Sequence, residues 1–86
     1  MSHLIELFCS EHCVACPAAR DIVRAVVDGR PDVTLVEYEV ATALEQARAY
    51  GLVATPALVI DRDTVLYGIP ARAALAARLD ERCSGG

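Results

Sequence analysis

The sequence predicts a small α/β domain in which a mixed four-stranded sheet carries helices, in the order β-α-β-α-β-β-α. Apolar, β-branched segments alternate with segments of helical periodicity, and glycine and proline mark the boundaries between them. The chain has only 86 residues. Because a domain usually contains about 100–200 residues, there is room for one. We therefore expect a single domain over residues 1–86, with an ordered core over about residues 3–82.

Composition and charge exclude several classes of function. Apolar residues make up 55% of the chain and charged residues 23%, which is typical of a globular protein and not of a disordered one. Eight basic residues against 12 acidic ones give a net charge of −4. This balance argues against nucleic-acid binding, since little positive charge is available to neutralise a phosphate backbone. All basic residues are Arg, so a mechanism that needs a Lys amine is excluded.

We expect no signal for export or membrane insertion in this chain. The first basic residue is Arg20, so no basic segment precedes an apolar one at the N-terminus. The longest uncharged run, residues 49–60, has 12 residues, against the ~20 that a membrane-spanning helix needs. We expect a monomeric cytoplasmic protein without membrane or nucleic-acid partners. Structural disulfides are rare in the cytosol, so the four cysteines favour redox or metal chemistry.

The first half of the chain predicts a strand, a helix and a second strand. Residues 3–8 form a short apolar run of the kind found in strands. Pro17 suits the first turn of a helix, which Gly29 in a left-handed cap and Pro31 should end. Residues 33–40 are rich in β-branched side chains and favour a strand. Because a helix connects the two strands, we expect them to be parallel.

A short second helix is predicted next. Thr42 and Glu45 have the spacing of a capping box, in which each side chain bonds the backbone N–H of the other residue. The helix should run through Tyr50 and stop at Gly51, which tolerates the left-handed backbone of a helix end.

The last third of the chain predicts a hairpin and a helix. Residues 57–60 and 64–67 favour two strands, and these must be antiparallel because only a tight turn separates them. Pro70 is placed as the first residue of the last helix. Leu75 and Leu79 lie four residues apart and give that helix its apolar face.

Cys13 and Cys16 form a C-x-x-C motif where the first strand passes into the first helix. Free backbone N–H groups and the positive end of the helix dipole favour a thiolate there, lowering a cysteine pKa from about 8.5. The second cysteine lies one helical turn on, near enough to form a disulfide and to release the first from a mixed disulfide. This arrangement predicts Cys13 as the nucleophile and Cys16 as the resolving thiol.

A second, distant motif accompanies the C-x-x-C. Residues 50–60 read Tyr-Gly-Leu-Val-Ala-Thr-Pro-Ala-Leu-Val-Ile, and Gly68 lies between the last strand and the last helix. With the C-x-x-C, these features resemble the thioredoxin/glutaredoxin superfamily over residues 3–82. The resemblance implies a thioredoxin-like fold of glutaredoxin size, with a cis peptide bond before Pro56. It also implies that an extended substrate segment binds beside Thr55 and Pro56.

The same resemblance implies an activity. It identifies a thiol–disulfide oxidoreductase that exchanges disulfides with protein or small-molecule thiols. Disulfide-containing proteins would be the substrates, and a reductase or another dithiol would donate the electrons. No cofactor is needed for this chemistry.

The sequence departs from the family at three places. His12 stands where thioredoxins usually carry Trp before the first cysteine; an imidazolium there would stabilise the Cys13 thiolate or contact substrate, although an exposed loop residue is the favoured interpretation. Leu7 takes the place of the buried acid that assists proton transfer in thioredoxins. Residues 68–72, Gly-Ile-Pro-Ala-Arg, replace the Gly-Gly/acidic element with which glutaredoxins hold glutathione, which disfavours glutathione binding.

A function of another class stays open. Cys9, Cys13 and Cys16 would serve a thioredoxin-fold metal-binding or adaptor module if these thiols held a metal. A zinc site usually needs a second pair of ligands, and Cys83 has no companion of that kind. We therefore expect no metal site and interpret Cys9 as a small, buried apolar residue at a strand end.

Overall fold

The computed structural model describes residues 2–84, and of residues 83 and 84 the backbone alone. The predicted order of strands and helices is confirmed. The elements are β1 (His3–Cys9), α1 (Cys16–Val27), β2 (Val33–Glu39), a 3-10 turn (Val40–Thr42), α2 (Leu44–Ala49), β3 (Ala57–Ile60), β4 (Thr64–Tyr67) and α3 (Arg72–Ser84). In the described part of the chain, no helix has the length and apolar character needed to cross a bilayer.

The sheet is mixed, and its strand order is β2-β1-β3-β4. β1 pairs with β2 in parallel and with β3 antiparallel, and β3 pairs with β4 as an antiparallel hairpin. β1 therefore lies inside the sheet with a strand on each side, which explains why it reads as a nearly continuous apolar run. Within β1, Leu7 lies opposite Glu37 of β2 and Leu58 of β3.

Alternate side chains of β1 belong to two different cores. On one face, Ile5, Leu7 and Cys9 pack with residues of α1 and α3, namely Cys16, Val23, Val26, Leu75 and Leu79. On the other face, Phe8 packs with Ala43, Ala47, Ala57 and Val59. Phe8 also stacks on Tyr38, with ring centroids 4.7 Å apart. We call the first the α1 core and the second the α2 core.

The β3–β4 turn ties the two ends of the fold together. Asp61 and Arg62 adopt positive φ angles of 49° and 64°, a conformation that Asp tolerates better than most residues. The Asp61 carboxylate accepts hydrogen bonds from the Leu4 backbone N–H at 2.8 Å and from Arg82 of α3 at 3.0 Å, and it pairs with His3 Nδ1 at 2.9 Å. One carboxylate thus joins the first strand, the hairpin and the last helix.

Two local predictions are wrong. Thr42 does not form a capping box: its hydroxyl donates to the Glu39 carbonyl at 3.1 Å inside the 3-10 turn, and the N-cap of α2 is Ala43, without a side-chain cap. Pro70 is not the first residue of α3, which begins at Arg72. The left-handed glycine after α1 is confirmed, since Gly29 has φ 78°.

Candidate active site

Cys13 and Cys16 are joined by a disulfide, with Cα atoms 5.3 Å apart, between the end of β1 and the start of α1. The backbone N–H of Cys13 donates to the Ser10 carbonyl at 3.2 Å, and that of Cys16 donates to the Cys13 carbonyl at 3.3 Å. These bonds fold residues 10–16 into consecutive turns that lead into the helix. Cys13 therefore lies in the turn that precedes α1, and Cys16 is the first residue of the helix.

The two sulfur-bearing residues differ in their access to solvent. Cys16 is only 2% exposed and belongs to the α1 core. Cys13 is half-buried and packs against the edge of that core. A substrate can reach Cys13 from solvent. Cys16 is enclosed, so it reacts chiefly with the sulfur of Cys13.

The second motif lies next to the first. The Thr55–Pro56 peptide bond is cis, which confirms the expectation from the family resemblance. The Thr55 hydroxyl hydrogen-bonds the Ser10 hydroxyl at 2.9 Å, which links this loop to the turn before Cys13. Pro56 is buried, and its carbonyl accepts a hydrogen bond from the Gly68 N–H at 3.0 Å. The residues on which the resemblance rests are thus assembled at one end of the sheet.

Exposed apolar side chains flank both motifs. Val14, between the two cysteines, is 94% exposed, and Val53, two residues before Thr55, is 85% exposed. Beside Val53 is an open cavity of about 250 Å³, lined by Val40, Ala47, Leu52, Val53, Ala54 and Thr55. Each motif thus has an exposed apolar side chain beside it.

His12 lies exposed in the turn before Cys13, next to exposed Glu11. This position agrees with the interpretation as a loop residue. Contact between His12 and a substrate stays a prediction, as does the pairing of a substrate segment with Thr55 and Pro56.

Sequence reasoning missed a buried acid. Leu7 lies in the α1 core, where it supplies no titratable group, but the neighbouring Glu6 is only 5% exposed on the opposite face of the sheet. Tyr50, at the end of α2, donates its hydroxyl to Glu6 Oε1 at 2.5 Å. Burial, followed by this hydrogen bond and the Glu6 charge, raises the pKa of Tyr50 to about 12. The pair anchors the segment that leads to Pro56 onto β1.

Cys9 is the remaining cysteine whose side chain the structure describes, and it is a buried free thiol. Burial raises the pKa of Cys9, while the charge and a hydrogen bond of Arg20 act in the opposite direction. Among the described residues, no group of three or more His, Cys, Asp or Glu side chains is arranged to hold a metal ion. The prediction that Cys9 is a small buried residue at a strand end is confirmed.

Comparison with known proteins gives consistent matches. Residues 3–80 match the family model described as a thioredoxin domain. The thioredoxin of Methanocaldococcus jannaschii is 39% identical over 79 residues, which cover 91% of this chain and 93% of that protein.

Solved structures agree on the fold. A mutant thioredoxin from Halobacterium salinarum matches with a TM-score of 0.81 at 20% identity, covering 93% of this chain and 74% of that one. Oxidized mitochondrial thioredoxin 3 from Saccharomyces cerevisiae matches with a TM-score of 0.80 at 20% identity, covering 93% of this chain and 78% of that one. The α/β, thioredoxin-like fold is therefore shared with these proteins.

Proposed function

The chain belongs to the thioredoxin family, and from this premise we propose that it is a thiol–disulfide oxidoreductase with Cys13 as nucleophile and Cys16 as resolving thiol. One observation carries the assignment of roles. The disulfide joins a half-buried Cys13 to a Cys16 that is enclosed in the α1 core, at the N-terminal end of α1. The accessible thiol is the one that can meet a substrate, and the helix N-terminus favours its thiolate form.

The reductive reaction proceeds in two exchanges. The Cys13 thiolate attacks one sulfur of a substrate disulfide, the substrate S–S bond breaks, and the other sulfur leaves as a thiolate that takes a proton from water. Cys16 then loses its proton and attacks the Cys13 sulfur. The mixed disulfide breaks, the second substrate thiolate leaves, and the Cys13–Cys16 bond forms. Two electrons pass from the dithiol to the substrate, and no cofactor takes part.

We further propose that the substrates are disulfide-containing proteins and that a reductase or another dithiol restores the reduced pair. Exposed Val14 and Val53, with the cavity beside Thr55, provide an apolar surface for a protein segment. We also propose that the protein is monomeric and acts in the cytoplasm. Glutathione is a poorer candidate because residues 68–72 lack the acidic element that glutaredoxins use to hold it.

Reduction of insulin disulfides by dithiothreitol tests the proposal. The wild type should accelerate the reaction, and Cys13→Ser and Cys16→Ser should each abolish turnover. Cys16→Ser should also accumulate a mixed disulfide through Cys13, whereas Cys13→Ser should form none. Cys9→Ala is the matched control and should retain activity.

Two results would contradict the proposal. Full activity in both Cys13→Ser and Cys16→Ser would exclude the dithiol mechanism. A stoichiometric metal on protein purified without chelator, lost in Cys9→Ala, would favour the metal-binding module instead.

A further inference from the structure

Cys16 has to ionise in surroundings that oppose ionisation. In the resolving step its thiol must become a thiolate, yet its side chain is buried among Leu58, Leu75 and other apolar residues of the α1 core. Removing a thiolate from water disfavours the charged form. Leu7, the position that the family resemblance assigns to a buried acid, is part of the same core and provides no charge. A positive charge near this core would favour the thiolate.

Arg20 of α1 and Glu37 of β2 form an ion pair on the face of the sheet that carries this core. Arg20 follows Cys16 by one helical turn, so the two side chains lie on the same side of α1. Glu37 lies opposite Leu7 in the register of β1 and β2. The Arg20 Nε atom is 3.1 Å from Glu37 Oε1. The ion pair thus spans the gap between the helix that begins at Cys16 and the edge strand of the sheet.

The other elements around this core bring little charge to it. β3 contributes Leu58 and Ile60, and α3 contributes Leu75 and Leu79. Four charged residues of α3 are exposed, namely Arg72, Arg78, Asp80 and Glu81, and half-buried Arg82 is paired with Asp61 and Asp63. Glu39 lies opposite Cys9 at the end of β2, and Glu39 is exposed.

Arg20 interacts with one thiol of this core, that of Cys9. Cys9 is 3% exposed and shares the α1 core with Cys16. Burial raises the pKa of its thiol most, the charge and hydrogen bond of Arg20 lower it, and the charges of Glu37 and Glu39 raise it again. The guanidinium is therefore within interaction range of a thiol that packs in the same core as the resolving cysteine.

We propose that Arg20, held in place by Glu37, favours the thiolate form of Cys16 during the resolving step. Arg20 supplies a fixed positive charge from the protein side, and Glu37 is a positioning residue that keeps it beside the core. The Arg20 guanidinium stays protonated and does not accept the proton of Cys16. The proton of Cys16 therefore goes to water, and the departing substrate thiolate takes up another. This inference rests on the proposed dithiol function.

Arg24 is a matched control for Arg20. It binds the same carboxylate, with Nε 2.9 Å from Glu37 Oε2 and Nη2 2.9 Å from Glu37 Oε1. It lies two helical turns after Cys16, and its side chain is 57% exposed. Arg24→Met therefore removes one partner of Glu37 but leaves Arg20, the arginine one turn after Cys16.

The test is a residue-specific NMR titration of the Cys16 Cβ resonance in the reduced protein. An opposite charge within about 4–6 Å shifts a pKa by about 1–3 units. Because Arg20 is partly exposed, we expect Arg20→Met to raise the Cys16 midpoint by the smaller figure, about one unit. Arg24→Met should shift it much less, and Arg20→Lys should restore most of the wild-type value. Arg20→Gln replaces Arg20→Met if the latter does not fold.

The rate of the resolving step provides a second readout. At a pH below the Cys16 midpoints of both the wild type and Arg20→Met, a midpoint that is one unit higher lowers the thiolate fraction of Cys16 about tenfold. The nucleophilicity of the remaining thiolate rises about threefold. Resolution of a purified mixed disulfide should then be about threefold slower in Arg20→Met below both midpoints, and about threefold faster above them. A substitution that only destabilises the structure would not slow the resolving step at low pH and accelerate it at high pH.

Two outcomes overturn the inference: an unchanged Cys16 midpoint in the Arg20 variants, or an equal shift in Arg24→Met. The titration needs no substrate, so its result is separate from the insulin assay. Wild-type protein that fails to reduce insulin would instead overturn the proposed function.

Discussion

Leu7 and Glu37 lie directly opposite each other in the parallel pairing of β1 and β2, one packed in the α1 core and the other bound to arginines of α1. The inner strand thus contributes an apolar side chain, while the edge strand carries the acid. A carboxylate on the edge strand can be paired from the surface of the helix without full burial, which limits the desolvation cost.

The two active-site thiols should react at different rates with a small alkylating agent. Cys13 is the more exposed and lies before the first residue of α1, where the helix dipole favours its thiolate. We expect limited alkylation of the fully reduced protein near pH 6.5 to modify Cys13 first, and both Cys16 and Cys9 much later. Peptide mass mapping measures the order. Equal labelling, or faster labelling of Cys16, would contradict the assignment of the nucleophile.

Charge placed on the exposed apolar surface should weaken the reduction of proteins selectively. Val14→Asp or Val53→Asp removes apolar contact area, worth about 1.5 kcal/mol or roughly tenfold in kcat/KM for insulin if the side chain is buried by substrate. Reduction of a small aromatic disulfide should change less than about twofold, because it covers little of this surface. Ala77→Asp, at an exposed position on α3, is the control. An equal loss of kcat/KM with both substrates would show that the substitution affects the reactivity of the thiols and not the binding of protein substrates.

Removal of the Tyr50 hydroxyl should destabilise the fold. In Tyr50→Phe, buried Glu6 loses the donor that lies 2.5 Å from its Oε1. Tyr38 also hydrogen-bonds Glu6, so the carboxylate keeps one partner. We therefore expect a loss of about 1 kcal/mol, the net worth of a typical hydrogen bond, which urea unfolding at pH 7 measures. Tyr67→Phe, at an exposed position, should cost less. The Tyr67 hydroxyl accepts a hydrogen bond from the Val53 N–H at 3.3 Å, so equal losses in the two variants would show that the Glu6 contact adds no more stability than this exposed bond.

The same hydroxyl predicts a loss of stability at high pH. The pKa of Tyr50 is about 12 in the folded protein and about 10 in an unfolded chain. A raised folded pKa stabilises the fold below about pH 10, and this contribution is lost as the pH rises through about 12. The wild type should therefore lose more stability than Tyr50→Phe between these values. Parallel stability curves for the two proteins would contradict the assignment.

The carboxylate at the hairpin turn should stabilise the fold above acidic pH. Burial alone raises the pKa of Asp61, but hydrogen bonds from Leu4, His3 and Arg82 outweigh it and lower the pKa. A lowered folded pKa contributes stability above the unfolded value of about 3.9, and the contribution is lost as the pH falls through the folded pKa.

Asp61→Asn tests this contribution, since Asn tolerates the positive φ of this position. At pH 7 we expect a loss of about 1.5–3 kcal/mol, the range for hydrogen bonds to charged groups. The difference from wild type should shrink as the pH falls below about 3.9. Asp63→Asn, which removes a more exposed partner of Arg82, should cost less. A difference independent of pH would mean that the charge of Asp61 is not the cause.

Local patterns were sufficient to predict most of the architecture. The bounds of β3 and β4 match the prediction residue for residue, because turn-forming residues border both strands. The prediction failed where a side chain had two possible partners: the Thr42 hydroxyl bonds the carbonyl three residues before it and not the backbone of α2.

The candidate site was predicted only in part. The C-x-x-C disulfide was accessible from the motif, because its two cysteines are close in sequence. The cis peptide bond before Pro56 was expected from the family resemblance. The roles of Glu6 and Glu37 were not predicted, since they depend on strand register and on which helix covers each face. A nearly uniform apolar strand such as β1 does not reveal its two faces. An acidic residue within such a strand is the available signal.

The central place of β1 also has a consequence for protein synthesis. β1 leaves the ribosome before its antiparallel partner β3, which begins only at Ala57. At a synthesis rate of about 5–20 residues per second, roughly 3–10 s pass before β3 can pair with β1. During this interval Ile5 and Phe8, fully buried in the finished domain, are available to other nascent chains. The half-made polypeptide, and not the completed fold, is therefore the form most exposed to aggregation.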